Sequence, residues 1–169
     1  MTFVQIETIH FRVKSYFKDN SDIHNKHVMA EEFCRKLETF MSSKRYSYSH
    51  DVATIQLAYF CGTARKARKK PKFIEGKIIK NPRNRILDIY ISHELHIDID
   101  LNEYCKEFFE ADKMGCYNII ARKTLNYVYA MTLPPQVKKF NKEKFISDLL
   151  EFFVSMGCNV ESAAENHNK

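Results

Sequence analysis

The hydrophobic pattern predicts an α/β (α+β) fold, a mixed sheet with a long β-hairpin, flanked by helices and followed by a C-terminal helix. Three observations predict it. Leu87, Ile89, Ile91, Leu95, Ile97, Ile99 and Leu101 alternate with Asp88, Tyr90, Ser92, Glu94, His96, Asp98 and Asp100, which is a strand with one face on a core. Met29, Phe33, Leu37, Phe40 and Met41 recur at helical spacing, as do Ile146, Leu149, Leu150, Phe153 and Met156. At 169 residues and 44% hydrophobic, the chain is long enough for one well-buried core and short for two.

Phe3 to Val13 is rich in β-formers and predicts a first strand. Residues 25 to 41 predict an amphipathic helix with Glu31, Glu32, Arg35, Lys36 and Glu38 on its outer side. A polar link leads to Asp51–Cys61, whose Val52, Ala53, Ile55, Leu57, Ala58, Tyr59 and Phe60 predict a helix buried on most sides and stopped by Gly62. Phe73–Ile79 and Arg85–Leu101 form the hairpin arms around Asn81-Pro82-Arg83-Asn84. The second arm exceeds a usual strand, so a bend or bulge is expected near Ser92-His93-Glu94. Asp100 and Glu103 have the form of a capping box opening a helix that ends at Gly115. Tyr117 to Ala121 reads as a returning strand, and Thr124 to Met131 fits strand or helix. Leu133-Pro134-Pro135 breaks structure; Asn141 caps the last helix and Gly157 stops it. The resulting division is a core over 1–131, a helical appendage over 132–160 and a disordered tail over 161–169.

Twenty-seven Lys and Arg against 21 Asp and Glu give a net charge of +6, which favours a polyanionic partner: nucleic acid, a nucleotide or an acidic protein surface. Five cysteines, with no CxxC or zinc spacing, read as reduced thiols of a cytoplasmic protein. The N-terminus has no signal-peptide pattern, and no apolar run reaches membrane-spanning length. No cofactor and no membrane association are expected.

Three groups of residues could carry chemistry. His50, between Ser49 and Asp51 at the start of the Asp51–Cys61 helix, would stand beside unpaired N–H groups able to hold a phosphate. Arg65, Lys66, Arg68, Lys69, Lys70 and Lys72 follow Gly62 closely. The same residues also fit a simple helix cap and a solvated loop. Glu94, His96, Asp98 and Asp100 share one strand face and could hold a divalent cation, although alternating acids are commonplace on solvated sheets. Glu75-Gly76-Lys77 has the Glu-x-Lys form of metal-dependent nucleases, but no acidic partner precedes it. No metal site is assigned.

The order strand, helix, Tyr46-Ser47-Tyr48-Ser49-His50, apolar helix, Gly62, basic hairpin, helix, Gly115 and closing strand resembles the viral ring nucleases. These anti-CRISPR proteins degrade cyclic tetra-adenylate. Ser49-His50, Ala53-Thr54 and Gly62 occupy comparable places, and the resemblance covers about residues 28 to 121. It departs where the family has glycine before the histidine, here Ser49, and in the second arm, here His93-Glu94-Leu95. The resemblance implies a homodimer and a metal-independent phosphodiesterase. A ribose 2′-hydroxyl would attack the adjacent phosphate, with His50 as general acid and Glu94 as a second catalytic group. Ser49, Asp51, Arg65, Lys66, Arg68, Lys69, Lys70 and His93 would bind the ligand.

Two other classes fit the same charge. One is a non-enzymatic nucleic-acid-binding protein using the cationic run, with Tyr46, Tyr48 and Tyr59 stacking on bases. The other is a protein–protein inhibitor, from a mobile element, that recognises an acidic partner.

Overall fold

The structure is a computed structural model and describes residues 10–17, 24–43, 54–62, 66–79, 89–91, 93–137 and 140–160. Its strands are β1 (His10–Phe17), β2 (Thr54–Cys61), β3 (Lys72–Ile74), β4 (Lys77–Ile79), β5 (Ile89–Ile91) and β6 (Glu94–Asp100). Its helices are α1 (His24–Ser43), α2 (Cys105–Glu110), α3 (Lys113–Ala130) and α4 (Lys142–Ser155), with a 3₁₀ turn at Asn102–Tyr104. The predicted α+β class is what the chain adopts.

Four strands form one mixed sheet in the order β1-β2-β6-β3. β1, β2 and β6 are parallel, with Arg12 opposite Gln56 and Gln56 opposite His96. β3 closes the far side antiparallel to β6, and β4 pairs antiparallel with β5. The described parts of the two expected hairpin arms therefore pair with each other. Their ladder stops at Ile74–Glu94 and resumes at Lys77–Ile91 with the same offset, so the interruption adds no residue to either arm. His93 holds the gap: the Gly76 N–H donates to its Nδ1 at 2.7 Å, and its ring lies 5.2 Å from that of Phe73.

Helices cover one face of the sheet. Phe11 of β1 meets Phe145 of α4, and Tyr59 of β2 bonds to Thr124 of α3. Phe33 of α1 packs against Tyr117 of α3 and against Phe152 and Phe153 of α4. Ile55, Leu57, Leu95, Ile97 and Ile99 complete this core from the sheet, and Leu149 and Phe153 of α4 belong to the same cluster. The Lys142 ammonium donates to the carbonyls of Tyr129 and Met131, satisfying acceptors at the C-terminus of α3 and fixing α4 beside it.

Several local expectations need correction. Thr54–Cys61 is a central strand and excludes the expected helix over 51–61. All eight of its residues are buried, so neither face supplies the polar half of an alternation, and a parallel strand covered on both sides reads as a continuous apolar run. Lys113–Ala130 is one helix, which replaces the expected strand at Tyr117–Ala121 and resolves Thr124–Ala130 as helical, with Met131 extended after it. Gly115 belongs to its first turn and does not end a helix. There Asp112 caps the helix by accepting from the Gly115 N–H. No capping box forms at Asp100 and Glu103, since Asp100 bonds the Asn102 N–H and the residues after it make a 3₁₀ turn. The final helix is as expected: Asn141 accepts from Lys144 N–H, and Gly157 turns the chain at φ 81°. The strand expected over residues 3–9, the turn expected at 81–84 and the tail 161–169 lie outside the described residues.

The β1 edge is capped by side chains. Glu38 of α1 accepts from the Val13 N–H at 2.8 Å, and Ser42 donates to the Phe11 carbonyl.

Candidate partner-binding face

The sheet's second face carries Arg12, Lys14 and Tyr16 from β1, Thr54, Gln56, Ala58 and Phe60 from β2, and Glu94, His96, Asp98 and Asp100 from β6. Period-two alternation puts them opposite the core residues. Arg12 spans this face. Strands two places apart are separated by about 9.5 Å, so the 2.9 Å contact from Arg12 Nη2 to Glu94 Oε1 lays the Arg12 side chain across β2. Thr54 and Gln56, the two polar residues of β2 on this face, are both buried.

The network continues through Glu94. Its Oε2 lies 2.7 Å from His96 Nε2, and His96 Nδ1 is 3.4 Å from Gln56 Nε2. Both Glu94 oxygens are thus engaged. Asp98 is buried, accepts from the Arg68 N–H at 2.8 Å and lies 4.0 Å from the Arg68 guanidinium. It ties the segment after β2 to the sheet. From the other side, the Tyr127 hydroxyl donates to the Lys69 carbonyl at 3.2 Å. Tyr16 and Phe60 stack at 5.0 Å.

The acids of this face are spent internally while the cations accumulate outside. Lys66, Arg68, Lys69, Lys70, Lys72 and Lys77 are exposed. Among the described residues, only Arg68 of these six pairs with a carboxylate. Two backbone anchors hold the segment in place, so its charges project from a fixed position on the sheet margin.

Of the residues singled out in the sequence, the structure brings together Arg68 with Asp98 and Glu94 with His96, while Lys66, Lys69, Lys70 and Lys72 stand exposed along the same segment. His93 sits at the hairpin interruption, its Nδ1 occupied by Gly76. Ser49, His50, Asp51 and Arg65 lie outside the described residues, but the helix whose N-terminus was to hold a phosphate beside His50 is replaced by β2. Among the described residues, no group of three or more His, Cys, Asp or Glu side chains is arranged to hold a metal ion. Arg12 and Gln56 were missed. Their one sequence signal was polarity inside otherwise strand-like runs.

Fold and face together define a small α+β protein with a helical layer on one side of its sheet and a braced, charged surface on the other. The chain belongs to the Immunity protein 44 family, whose model matches residues 7–155. No curated protein and no solved structure matches the chain. This membership overturns the resemblance to viral ring nucleases, and with it the ring-nuclease, anti-CRISPR and hydrolase readings. The physical cause is plain: the two segments that carried the resemblance as an apolar helix and a closing strand fold as a strand and a helix. Among the described residues, no helix is long and apolar enough to cross a membrane.

Proposed function

We propose that this chain neutralises a protein toxin by binding it directly, with the cationic segment around Lys66–Lys72 and the adjoining sheet face as the contact surface. Family membership across residues 7–155 carries the reading. The chemistry of the surface supports it. A preformed network leaves little side-chain entropy to lose on docking, and cations on an anchored backbone segment steer an approaching partner. The net charge of +6 and the exposed cations of this segment favour a toxin whose contact surface is acidic. The inhibitor reading of the sequence survives in this form, with Lys66, Arg68, Lys69 and Lys70 as partner contacts.

Co-expression with toxin domains encoded in the same genome tests this. One of them should arrest growth alone, be tolerated with this chain present, and form a stable complex with it. Alanine at Lys66, Arg68, Lys69 and Lys70 together should weaken that complex by about tenfold or more and flatten its salt dependence. The proposal fails if the chain protects against none of these domains and binds none of them.

A further inference from the structure

Cys61 ends β2 and Cys105 opens α2, and their Sγ atoms lie 3.2 Å apart. The corner that holds them is already laced. The Leu101 N–H donates to the Phe60 carbonyl at 2.8 Å, and the Gly62 N–H donates to Asn102 Oδ1 at 2.6 Å. Both thiols face the Leu101 carbonyl at 3.8 Å. A disulfide needs the sulfurs at about 2 Å, a closure of little more than 1 Å between groups whose backbones are fixed by those bonds. The other cysteines are placed differently: Cys116 donates to the Phe108 carbonyl at 3.1 Å, while Cys34 and Cys158 are buried elsewhere in the core.

We propose that Cys61 and Cys105 are a reversible dithiol–disulfide pair whose co-substrate is a small-molecule disulfide of the glutathione type. Exposure sets the order of events. Cys105 is half-buried, whereas Cys61 is fully buried. The Cys105 thiolate attacks one sulfur of the small disulfide, breaking its S–S bond and forming a mixed disulfide; the departing thiolate takes up a proton. Cys61 then loses its proton and attacks the Cys105 sulfur, forming the Cys61–Cys105 bond and expelling the second small thiol. The protein gives up two protons and two electrons, and the small disulfide becomes two thiols. Burial pushes the Cys61 thiol above its ordinary range, and the hydrogen bond with Cys105 adds to the rise, so the resolving step accelerates as pH increases. The product staples the end of β2 to the first turn of α2, across a loop of the length for which cross-linking restricts the unfolded chain substantially.

The test uses the folded, reduced protein incubated with oxidised glutathione, followed by acid quenching, mass spectrometry and peptide mapping. The expected product is lighter by about 2 Da, carries a Cys61–Cys105 cross-linked peptide, reverts with dithiothreitol and melts at a higher temperature. Cys61→Ser should retain glutathione on Cys105, and Cys105→Ser should leave Cys61 unmodified. Wild-type protein that keeps both thiols free, or that accumulates a lasting mixed disulfide at Cys105, overturns the proposal. So does a bridge using any other cysteine. Since each readout is on the protein alone, none depends on the toxin-binding reading.

Discussion

Tyr59 carries its hydroxyl into the middle of the core, and Thr124 makes that burial tolerable. Their oxygens are 2.7 Å apart, and the Thr124 hydroxyl donates its own hydrogen bond to the Ile120 carbonyl at 2.6 Å. Replacing Thr124 by Val keeps the volume and strands the phenol, which should cost about 1–3 kcal/mol. The double variant Tyr59→Phe/Thr124→Val should recover part of that loss, because no orphaned donor remains. Urea denaturation of the two single variants and the double variant checks this; additive losses would mean that the two groups are uncoupled. Residue-scale legibility followed range in the chain. The cationic residues Lys66 to Lys72 were legible because charge is a local property. The bracket of Arg12 and Glu94 was not, since 82 positions separate its members and only the parallel pairing of three strands brings them together.

At the scale of elements, a segment was readable where one side of it meets water. β6 and α1 have such a side, and their apolar periods gave them away. β2 lacks one, since all eight of its residues are buried, so its run Thr-Ile-Gln-Leu-Ala-Tyr-Phe-Cys fits a buried helix equally well. In α3, Tyr117, Ile119, Thr124, Tyr127 and Tyr129 are strand-favouring residues held helical by tertiary packing, a case of context overriding propensity. Gly115 misled for another reason. It serves close approach: a Cβ there would stand 2.9 Å from Ala111 Cβ and 3.0 Å from Asp112 Oδ1, the atom that caps the helix. Neither neighbour is the loose end of a long side chain. Gly115→Ala should therefore destabilise the protein by about 1–3 kcal/mol, despite alanine's better helix propensity. A denaturation midpoint equal to wild type would show that the α2–α3 turn relaxes freely.

For the molecule as a whole, thiols and a phenol whose protons the fold retains weaken it in alkali. Burial raises the Cys34 thiol to about 12, the Tyr127 phenol to about 12 and the Cys158 thiol to about 11, against ordinary values of 9.0 for Cys and 10.0 for Tyr. Above pH 9.0 the unfolded chain releases protons that the fold still holds, so the unfolded state is favoured increasingly. The stability these groups contribute is fully present below that point and is lost as pH climbs through the range of their folded values. Urea midpoints should accordingly fall between about pH 9 and about pH 12; a flat profile there would mean that these groups are solvated in the fold.

The bonds from Glu38 and Ser42 to the outer edge of β1 bear on how this protein meets others. An open edge strand is a template on which a neighbouring chain can lay its own backbone, the usual beginning of fibrils and of exchanged subunits. Here the Val13 N–H and the Phe11 carbonyl are already occupied by the protein's own first helix. A would-be neighbour must evict a carboxylate and a hydroxyl before its first hydrogen bond forms. Recognition is pushed away from main-chain pairing, which any extended peptide offers, and towards side chains, which differ from one partner to the next.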